Sequence, residues 1–444
     1  HTFHTLRKRS SQNAVGKRVV PSIKLQFGVW SAFRMTSAEM ATVHTFHMER
    51  ENELRLEVDY NVKVQVKLVN GTAEIFGCEI AKDVPYTFSG RKLAVFTWHG
   101  AVVEVTGEAD SYVADETPMR QFVNTHSILE ARRSACHEAG ASGQGPVTMV
   151  VGPTDSGKSS LCTLLVNYAV RQGWAPLLVD LDVGQGMFTV PGTIAATVVE
   201  RPIHPVEGVA LDAPLVYYLG SASPGENPEH YEHLVGRMAE VLQQRDLSGE
   251  KGGAHRAAGT FINTMGWVDG PGYQLLVNSA RTLKVDVILV LGQDKLHAEL
   301  EKEFRKDGNK VEVVKLSKSG GVVTRPTAFR KTARQARTQE YFYGVEDDLR
   351  VTTLTASFDE LAVFRVGGVY RAPASALPLG AEPVANPMRL QPVQWSRELV
   401  NSILAVSHAS KQEDILGTNV AGFVWVTDVD MAKGRIAYHT PCGG

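Results

Sequence analysis

The chain has 444 residues, and its content of 43% hydrophobic, 21% charged and 8% aromatic residues is that of an ordinary globular protein. This composition excludes a wholly disordered chain, a collagen-like repeat and a coiled-coil rod, and the length predicts two or three domains. The net charge of −2 excludes a protein-wide basic surface for nucleic acid, so any polyanion site must be a local patch.

Residues 1–47 differ from the rest and are predicted to be a disordered extension. They hold seven Lys/Arg and one acid, Glu39, and they repeat a short phrase, HTFHT and VHTFH, without a clear periodicity. The composition resembles that of a transit peptide. The interpretation that we favour is an untranslated or mis-joined extension before a start at Met35, Met40 or Met48.

Residues 48–118 predict a small N-terminal β-sandwich domain. Apolar and polar residues alternate in ELRLEV, VKVQVKLV and AVVEVTGEA, which is the pattern of half-buried antiparallel strands. Asn70-Gly71 is a typical type I′ hairpin turn. The alternation ends near Pro118, where the chain changes character.

Residues 119–344 predict a central α/β domain with a parallel sheet and helices on both faces. Helical and strand patterns alternate along this stretch, which is typical of a parallel sheet covered by helices. The clearest strands are PVTMVVG, PLLVDLD (176–182), GTFINT (259–264) and VDVILVL (285–291), and helices are expected after Pro118, from Lys158 and after Gly272. The polar segment 248–255 predicts a loop.

Residues 345–444 predict a C-terminal β-rich α/β domain. Strand-like alternation returns in VTTLTASFDELAVFRVG and GFVWVTDVD, and a Pro/Ala-rich connector at 371–383 lies between them.

The four cysteines, Cys78, Cys136, Cys162 and Cys442, are far apart and form no Cys-x-x-Cys pair. This spacing argues against a zinc site or a disulfide framework and favours a reducing compartment. The longest clean apolar run, around Val287–Leu291, has the length of a strand and is far too short to span a membrane. The sequence therefore predicts a soluble protein with no membrane partner.

The strongest motif is GPTDSGKS at residues 152–159, which matches G-x-x-x-x-G-K-[ST] between a predicted strand and a predicted helix. Glycines let main-chain amides surround a phosphate, and the helix N-terminus adds positive potential. Lys158 is expected to reach the β- and γ-phosphates of a bound nucleotide, and the Ser159 hydroxyl to bind Mg²⁺. The residues of this loop expected to bind the nucleotide are Gly152, Thr154, Asp155, Ser156, Gly157, Lys158, Ser159 and Ser160. The alternative is a glycine-rich turn that binds nothing.

Asp180 and Asp182 end the predicted strand 176–182 and, two residues apart, are predicted to share one face of it. Transfer of a phosphoryl group to a hydroxyl needs one acid near Mg²⁺ and one to accept the proton. The alternative is that these acids only cap the following turn.

The segment 315–337 holds seven Lys/Arg and no acid. If Pro326 begins a helix, Arg330, Arg334 and Arg337 share one of its faces. Such a face can close over a transferring phosphate or hold a nucleic-acid backbone. The alternative is an ordinary solvated helix face.

In this order the motifs resemble those of a known family, the polynucleotide 5′-hydroxyl kinases that are subunits of the pre-mRNA cleavage and polyadenylation machinery. The likeness covers about 53–440 and includes GTAEIFG, VGPTDSGKSS, DLDVGQGMFTVPGT, NTMGWVDGPGYQ and SKSGGVV. It implies a β-domain, a P-loop domain and a C-terminal domain. It also implies ATP-dependent phosphorylation of RNA 5′-hydroxyl ends in mRNA 3′-end processing and tRNA splicing. The implied location is the nucleus, and the implied partners are other cleavage-factor subunits and the tRNA-splicing endonuclease complex.

The resemblance further implies roles for single residues. Asp182 would be the general base, which leaves Asp180 as the acid beside the metal. The residues implied to touch the adenine are Glu53, Phe76 and Lys92; the implied lid arginines are Arg325, Arg330 and Arg334; and the implied RNA-side residues are Trp267, Gln185 and Ser223. Such a lid neutralises charge developing on the γ-phosphoryl group and excludes water, and an aromatic ring stacks on bases of any sequence. The alternative for Trp267 is a half-buried core aromatic.

The sequence also departs from the family pattern. Met265 replaces the usual small residue before Gly266-Trp267. The chain also stops at Gly444, earlier than the family's usual end. A final strand is therefore expected to be absent and the C-terminal domain truncated.

Three other functions compete with the kinase. The main rival is a catalytically silent, ATP-bound scaffold of the cleavage factor, but a scaffold can lose the base or the lid arginines, whereas Lys158, Asp182, Arg325 and Arg330 are all present. A ribosomal-RNA-processing relative does not fit the small flanking domains. A metabolite kinase explains neither Trp267 nor the N-terminal β-domain.

Overall fold

The computed structural model describes residues 17–24, 42–139, 144–210, 213–247, 256–306, 311–367 and 386–441. The chain divides into two compact units, one within 27–350 and the other combining 1–26 with 351–444. In chain order the first strand is β1 (Lys17–Lys24), which belongs to the second unit.

The N-terminal part of the first unit is a sandwich of two antiparallel sheets, as the alternating pattern predicts. Its strands are β2 (Val43–Met48), β3 (Glu53–Glu57), β4 (Val64–Gly71), β5 (Glu74–Ile75), β6 (Cys78–Glu79), β7 (Pro85–Phe88), β8 (Lys92–Phe96), β9 (Ala101–Thr106) and β10 (Asp110–Ala114). One sheet has the order β10-β3-β8-β5-β6 and the other β2-β9-β4-β7. Inward side chains such as Leu54, Val66 and Val103 are fully buried in one core, because successive strand residues point to opposite faces.

The strand β2 lies almost entirely within the segment predicted to be an extension. It pairs with β9 from Val43 opposite Thr106 to Met48 opposite Ala101. Along β2 only Met48 is buried, and Phe46 packs against the core. An edge strand needs few inward apolar residues, so its alternation is weak, and the domain begins about five residues earlier than predicted.

The central part of the first unit is a seven-stranded sheet. Its strands are β11 (Val147–Val151), β12 (Leu177–Asp180), β13 (Thr193–Val198), β14 (Leu215–Tyr218), β15 (Thr260–Asn263), β16 (Val287–Leu291) and β17 (Glu312–Leu316), in the order β14-β13-β12-β15-β11-β16-β17. The five neighbouring strands β12, β15, β11, β16 and β17 are parallel. The strands β13 and β14 are added at the β12 side and are antiparallel. The predicted parallel sheet is therefore confirmed for the strands that carry the site, and the whole sheet is mixed.

Helices cover both faces of this sheet. They are α1 (Met119–Glu138), α2 (Lys158–Arg171), α3 (Pro228–Leu247), α4 (Pro271–Thr282), α5 (Asp294–Lys306) and α6 (Thr327–Tyr343). Side chains of α3, α4 and α5 share one core with alternate strand residues such as Met149 and Ile262. The helix α2 contacts α1, β11 and β15, and its side chains are not part of that core, which puts α2 on the other face. None of the helices in the described ranges is both long and apolar enough to cross a membrane.

The carboxyl ends of the parallel strands meet at one edge of the sheet. The strand β11 leads into the motif at 152–159, β12 ends at Asp180 and β15 ends at Asn263. Asp180 and Asn263 are register partners, and Asn263 also pairs with Val150 of β11. This edge is where open α/β sheets bind ligands.

The second unit is built on another seven-stranded sheet. Its later strands are β18 (Thr352–Ser357), β19 (Leu361–Val366), β20 (Leu390–Pro392), β21 (Ser402–Ser407), β22 (Val420–Asp430) and β23 (Arg435–Thr440). The order is β18-β23-β22-β21-β1-β19-β20, and only β1 and β19 are parallel neighbours. Val363, Leu404, Val426 and Ile436 form its core.

The position of β1 differs from the predicted disorder of residues 1–47. It lies inside the sheet, parallel to β19 over Lys17–Val19 and antiparallel to β21 from Val19 to Lys24. Both partner strands come from the opposite end of the chain, so the pairing of β1 is not local and the N-terminal segment alone does not indicate it.

The remaining sequence predictions concern a loop, a connector and the cysteines. The predicted loop 248–255 and the connector 371–383 lie outside the described residues. Cys78, Cys136 and Cys162 are free thiols, and Cys442 lies outside the described residues.

Candidate active site

The loop between β11 and α2 has the close packing that the P-loop motif predicts. Gly157 has a φ of 93°, a left-handed conformation that favours glycine. A Cβ on Gly152 would lie 2.7 Å from a side-chain oxygen within the loop. The helix α2 begins at Lys158 without a side-chain cap. The amides of its first turn, which includes Ser159 and Ser160, are therefore available to an anion.

The Lys158 side chain is buried in this loop and only 7% exposed. Its Nζ donates a hydrogen bond to the carbonyl oxygen of Pro153 at 2.8 Å. Burial lowers the pKa of Lys158, and the negative charge of Asp182 opposes that shift. The phosphate lysine and the predicted general base therefore lie close enough to interact.

Asp180 is buried at the end of β12 and belongs to a polar network with Asn263 and Ser159. Its Oδ1 accepts a hydrogen bond from Asn263 Nδ2 at 2.8 Å, and its Oδ2 accepts one from the Met187 main-chain N–H at 2.5 Å. Ser159 Oγ donates to Asn263 Oδ1 at 3.4 Å. Burial, followed by the charge of Asp182, raises the pKa of Asp180 to about 7, although its hydrogen bonds oppose this.

Asp182 lies just beyond β12, not within it, so the two acids differ in their surroundings. Its Oδ1 accepts hydrogen bonds from the main-chain N–H groups of Gly184 at 2.9 Å and Gln185 at 3.1 Å. Burial raises the pKa of Asp182, and the positive charges of Lys158 and Arg334 oppose this rise. The carboxylate is thus fixed by its own loop and lies within range of the charges of Lys158 on α2 and Arg334 on α6.

The arginine-rich segment lies over the P-loop. Asp155 Oδ2 accepts a hydrogen bond from the Arg325 main-chain N–H at 2.8 Å and pairs with Arg330 Nη2 at 2.8 Å. Arg334 is near enough to Asp182 to affect its pKa. The structure therefore places the Arg330 side chain on the P-loop, whereas Arg325 contacts the P-loop only through its main chain and its guanidinium lies over the Phe329 ring.

The lid helix α6 also touches the β-sandwich. The Phe329 ring lies 5.2 Å from the Tyr60 ring, and the Arg325 guanidinium lies 5.3 Å from the centre of the Phe329 ring. Arg337 pairs with Glu340 of the same helix at 2.9 Å. Burial raises the pKa of Tyr60, and the positive charges of Arg325 and Arg337 oppose this rise, so both arginines lie near the β-sandwich side of the lid.

Glu53 and Lys92 lie on the outer face of the sheet that contains β3 and β8. Glu53 is buried and accepts hydrogen bonds from Arg55 Nε at 2.9 Å and from Thr117 Oγ1 at 3.3 Å. Lys92 pairs with Glu57, its neighbour across the two strands.

Arg55 connects this face to the P-loop. A Cβ on Gly321 would lie 2.7 Å from Arg55 Cδ, and a Cβ on Gly157 would lie 3.2 Å from Val322 Cγ2. The turn 319–322 thus fills the space between the β-sandwich and the P-loop.

Phe76 lies at the turn between β5 and β6, against helix α2. Its carbonyl oxygen accepts a hydrogen bond from Asn167 Nδ2 at 2.9 Å. A Cβ on Gly77 would lie 2.9 Å from the Leu164 carbonyl oxygen. One helix therefore carries the phosphate end of the site at its first turn and supports the predicted adenine contact two turns later.

The predicted RNA-side residue Trp267 follows β15 and packs beside the P-loop. A Cβ on Gly266 would lie 2.6 Å from the main-chain N of Thr154. The Trp267 ring is half-buried, and Cβ atoms on Gly225 and Gly272 would lie 3.1 Å and 2.4 Å from it. The ring is therefore held between two glycines, and it also packs against the main core, as the alternative interpretation proposed. Met265 is buried in that same core.

Ser223 is exposed and caps the short helix Pro224–Glu226, where its Oγ accepts a hydrogen bond from the Gly225 N–H at 3.3 Å. Because Gly225 touches the Trp267 ring, the structure brings these two RNA-side predictions together. Three buried polar atoms around the site have no partner among the described residues: Ser156 Oγ, Gln185 Nε2 and Arg330 Nε. Such atoms are costly to leave unpaired and suggest a polar ligand.

Two residues of the site were missed by the sequence analysis. Asn263 joins Ser159 to Asp180, and its position as a polar residue ending the strand GTFINT was a usable signal. Arg55 holds Glu53 and the turn 319–322, but nothing local in ELRLEV distinguishes it from a solvent-facing arginine.

Comparisons with known proteins match the three parts of the chain. A family model described as the mRNA cleavage and polyadenylation factor CLP1 P-loop matches residues 152–344. A model of the N-terminal beta-sandwich domain of polyadenylation factor matches 47–136, and a model of pre-mRNA cleavage complex II protein Clp1 matches 351–444.

Similar proteins cover nearly the whole chain. A "Protein CLP1 homolog" of Arabidopsis thaliana is 48% identical over 91% of this chain and 91% of its own length. A "Polyribonucleotide 5′-hydroxyl-kinase Clp1" of Gallus gallus is 44% identical over 89% of this chain and 92% of its own length. The protein of that name from Homo sapiens is 43% identical over 87% and 89%.

Solved structures share the fold. One, described as the extended interface between Pcf11p and Clp1p, has a TM-score of 0.78 and 22% identity and covers 91% of this chain and 96% of that chain. Another, the wild-type Clp1p-Pcf11p complex, has a TM-score of 0.76 at the same identity. Three consecutive domain matches and near-full-length relatives that share almost half of their residues with it show that the chain belongs to the Clp1 family of pre-mRNA cleavage and polyadenylation factors.

Proposed function

We propose that this protein is an ATP-dependent polynucleotide 5′-hydroxyl kinase that phosphorylates RNA 5′ ends. The observation that carries the proposal is the meeting of three parts at one edge of the sheet: the P-loop, the Asp182 carboxylate bound by its own loop, and the lid segment bound to Asp155. A proton acceptor beside a phosphate loop and an arginine-bearing lid is the arrangement that phosphoryl transfer to a hydroxyl needs. The names of the chicken and human relatives support the same activity.

In the proposed reaction the 5′-oxygen of RNA bonds to the γ-phosphorus of ATP, and the bond to the β,γ-bridging oxygen breaks. Asp182 accepts the proton of the 5′-hydroxyl. Lys158 and the α2 amides hold the phosphates, while Arg330 and Arg334 neutralise charge on the transferring group. The P-loop and lid thereby supply positioning and electrostatic stabilisation, and Asp182 supplies the base.

The donor set also fits Mg²⁺. The oxygens of Ser159 and Asp180, joined through Asn263, are of the type that Mg²⁺ takes as ligands. Among the described residues no group of three or more His, Cys, Asp and Glu side chains could hold a metal ion, so Mg²⁺ would rely on phosphate and water oxygens for most of its ligands, as it commonly does. When bound it would neutralise negative charge on the phosphates.

The remaining predicted contacts surround this centre. Glu53, Phe76 and Lys92 are proposed to contact the adenine from the β-sandwich side. Trp267 is proposed to stack on the terminal RNA bases, with Ser223 beside it and Gln185 on the Asp182 loop. Trp267 is only half-buried, as stacking on a base requires.

The proposed partners and location follow from family membership. The fold relatives were solved with Pcf11p, and we propose that this protein also assembles with cleavage-factor subunits. RNA 5′-hydroxyl ends, a role beside the tRNA-splicing endonuclease complex and a nuclear location are part of the same proposal.

The experiment is transfer of labelled γ-phosphate to a 5′-hydroxyl oligoribonucleotide by the purified full chain, with 5′-hydroxyl DNA for comparison. We expect labelled RNA from the wild type and none from Lys158→Ala. If ATP co-purifies unhydrolysed and no oligonucleotide is labelled, the kinase proposal fails and the protein is an ATP-bound scaffold. The Clp1p-Pcf11p complexes among the fold relatives make this second function the one to test against.

A further inference from the structure

The carboxylate of Asp155, a P-loop residue, forms its hydrogen bonds with the lid segment. Asp155 is the fourth residue of the motif, with a φ of 56° and a side chain only 9% exposed. Its Oδ2 accepts hydrogen bonds from the Arg325 main-chain N–H and from Arg330 Nη2, each at 2.8 Å. These two donors flank the start of α6, so one carboxylate ties down the beginning of the lid helix.

The ion pair between Asp155 and Arg330 is expected to be strong. Hydrogen bonds to a charged carboxylate are worth roughly twice neutral ones, and this pair is largely removed from solvent. The two donors lower the pKa of Asp155 although burial acts to raise it, so the carboxylate stays ionised at neutral pH. Breaking the pair would leave Arg330 partly buried without an anion.

Arg330 keeps donor capacity while it is held. Its Nη2 is bonded to Asp155, but its Nε is buried without an acceptor among the described residues. Arg334 follows one helical turn later on the same face and reaches the surroundings of Asp182. Fixing Arg330 therefore sets the position of Arg334 as well.

We propose that Asp155 is a positioning residue that holds the arginine-bearing helix α6 over the P-loop and gives up Arg330 to the transferring phosphoryl group. The inference rests on the proposed kinase function for its last step, but the holding of α6 does not depend on it. Because one anion replaces another, Arg330 always has a counter-charge. The lid therefore starts near its working position and does not have to be ordered from solvent at each turnover.

The first test measures the lid without any reaction. In Asp155→Asn an oxygen can still accept the Arg325 N–H, but the charge that holds Arg330 is lost. Hydrogen exchange of amides 327–335 in the nucleotide-free full chain is expected to be about tenfold faster than in wild type. Arg330→Gln breaks the same pair from the other side and should give the same increase, which keeps the test valid if one variant folds poorly.

The matched control is Asp294→Asn. Asp294 pairs with Lys315 and its side chain is 82% exposed, so its removal also deletes a carboxylate from an ion pair. Exchange at 327–335 is expected to be unchanged in this control. Unchanged exchange in both Asp155→Asn and Arg330→Gln would overturn the proposal.

The second test uses the reaction. Asp155→Asn is expected to lower kcat for RNA phosphorylation about tenfold, with KM for ATP changed less than threefold. The number of ATP molecules hydrolysed for each RNA end phosphorylated is expected to rise. The double variant with Arg330→Gln should be no slower than Arg330→Gln alone, because both changes break one contact. Additive losses would overturn the proposal. Faster lid exchange in a protein that phosphorylates no oligonucleotide would support the holding role of Asp155 and refute the kinase function.

Discussion

Replacing Asp182 with asparagine removes the proposed proton acceptor with little disturbance of its surroundings. Asparagine has nearly the same shape, and its oxygen can still accept the hydrogen bonds that Oδ1 receives from Gly184 and Gln185. Burial already raises the pKa of Asp182, so the folded protein disfavours the charge that the substitution removes. We therefore expect the free energy of unfolding at pH 7 to stay the same or to rise slightly.

The expected loss of rate is large by comparison. General-base catalysis contributes roughly 10²- to 10⁴-fold, which corresponds to a barrier of about 3–5 kcal/mol. Affinity for ATP should be kept or increased, because the removed carboxylate interacts with Lys158 and Arg334 and competes with phosphate for them. The substitution is thus predicted to separate nucleotide binding from transfer.

The assay is single-turnover transfer of γ-phosphate to a 5′-hydroxyl oligoribonucleotide, with ATP affinity measured by calorimetry and stability by denaturant unfolding. Asp430→Asn is a suitable control, because Asp430 Oδ1 also accepts two main-chain hydrogen bonds, from Ala432 and Lys433, and Asp430 belongs to the second unit. A rate for Asp182→Asn above one tenth of wild type would show that this residue is not the base. A loss of ATP binding would show that the carboxylate is structural.

Three further predictions concern Gly266 and Trp267 of the site and the buried His126 of helix α1. Gly266→Ala should weaken ATP binding measured by calorimetry, because its Cβ would lie 2.6 Å from the Thr154 main chain; unchanged affinity would contradict this packing. Trp267→Ala should raise KM for RNA about 5- to 150-fold, and Trp267→Phe should show a smaller increase in KM. If Trp267→Ala lowers the free energy of unfolding and leaves KM unchanged, Trp267 is a core residue and does not bind RNA. Burial is the main cause that lowers the pKa of His126 to about 4 in the folded protein. As the pH falls below about 6.5, the unfolded chain therefore binds a proton at His126 while the folded protein does not. The free energy of unfolding then decreases until about pH 4. Between pH 7 and 5 wild type should lose about 2 kcal/mol more unfolding free energy than His126→Gln, and equal losses would contradict a buried neutral imidazole.

Much of the fold was predictable because the responsible signals are local. Alternation along 53–113 specifies two-faced strands, and the spacing of PVTMVVG, the P-loop and the helix from Lys158 specifies a strand, a phosphate loop and a helix. The same local patterns placed Lys158 and Ser159 at the start of a helix and Asp180 at the end of a strand, where the structure has them. The strands β13 and β14 were missed, and they are the ones that turn the parallel sheet into a mixed one.

The sequence by itself determined the phosphate loop, the acidic strand end and the basic segment, because each is written within a few consecutive residues. Only the tertiary structure decided that Asn263 joins Ser159 to Asp180, that Arg330 pairs with Asp155, and that β1 joins strands from the opposite end of the chain. These relations depend on which elements pack together after the chain has folded. A periodic pattern carries information on which face is buried but none on which distant partner covers it.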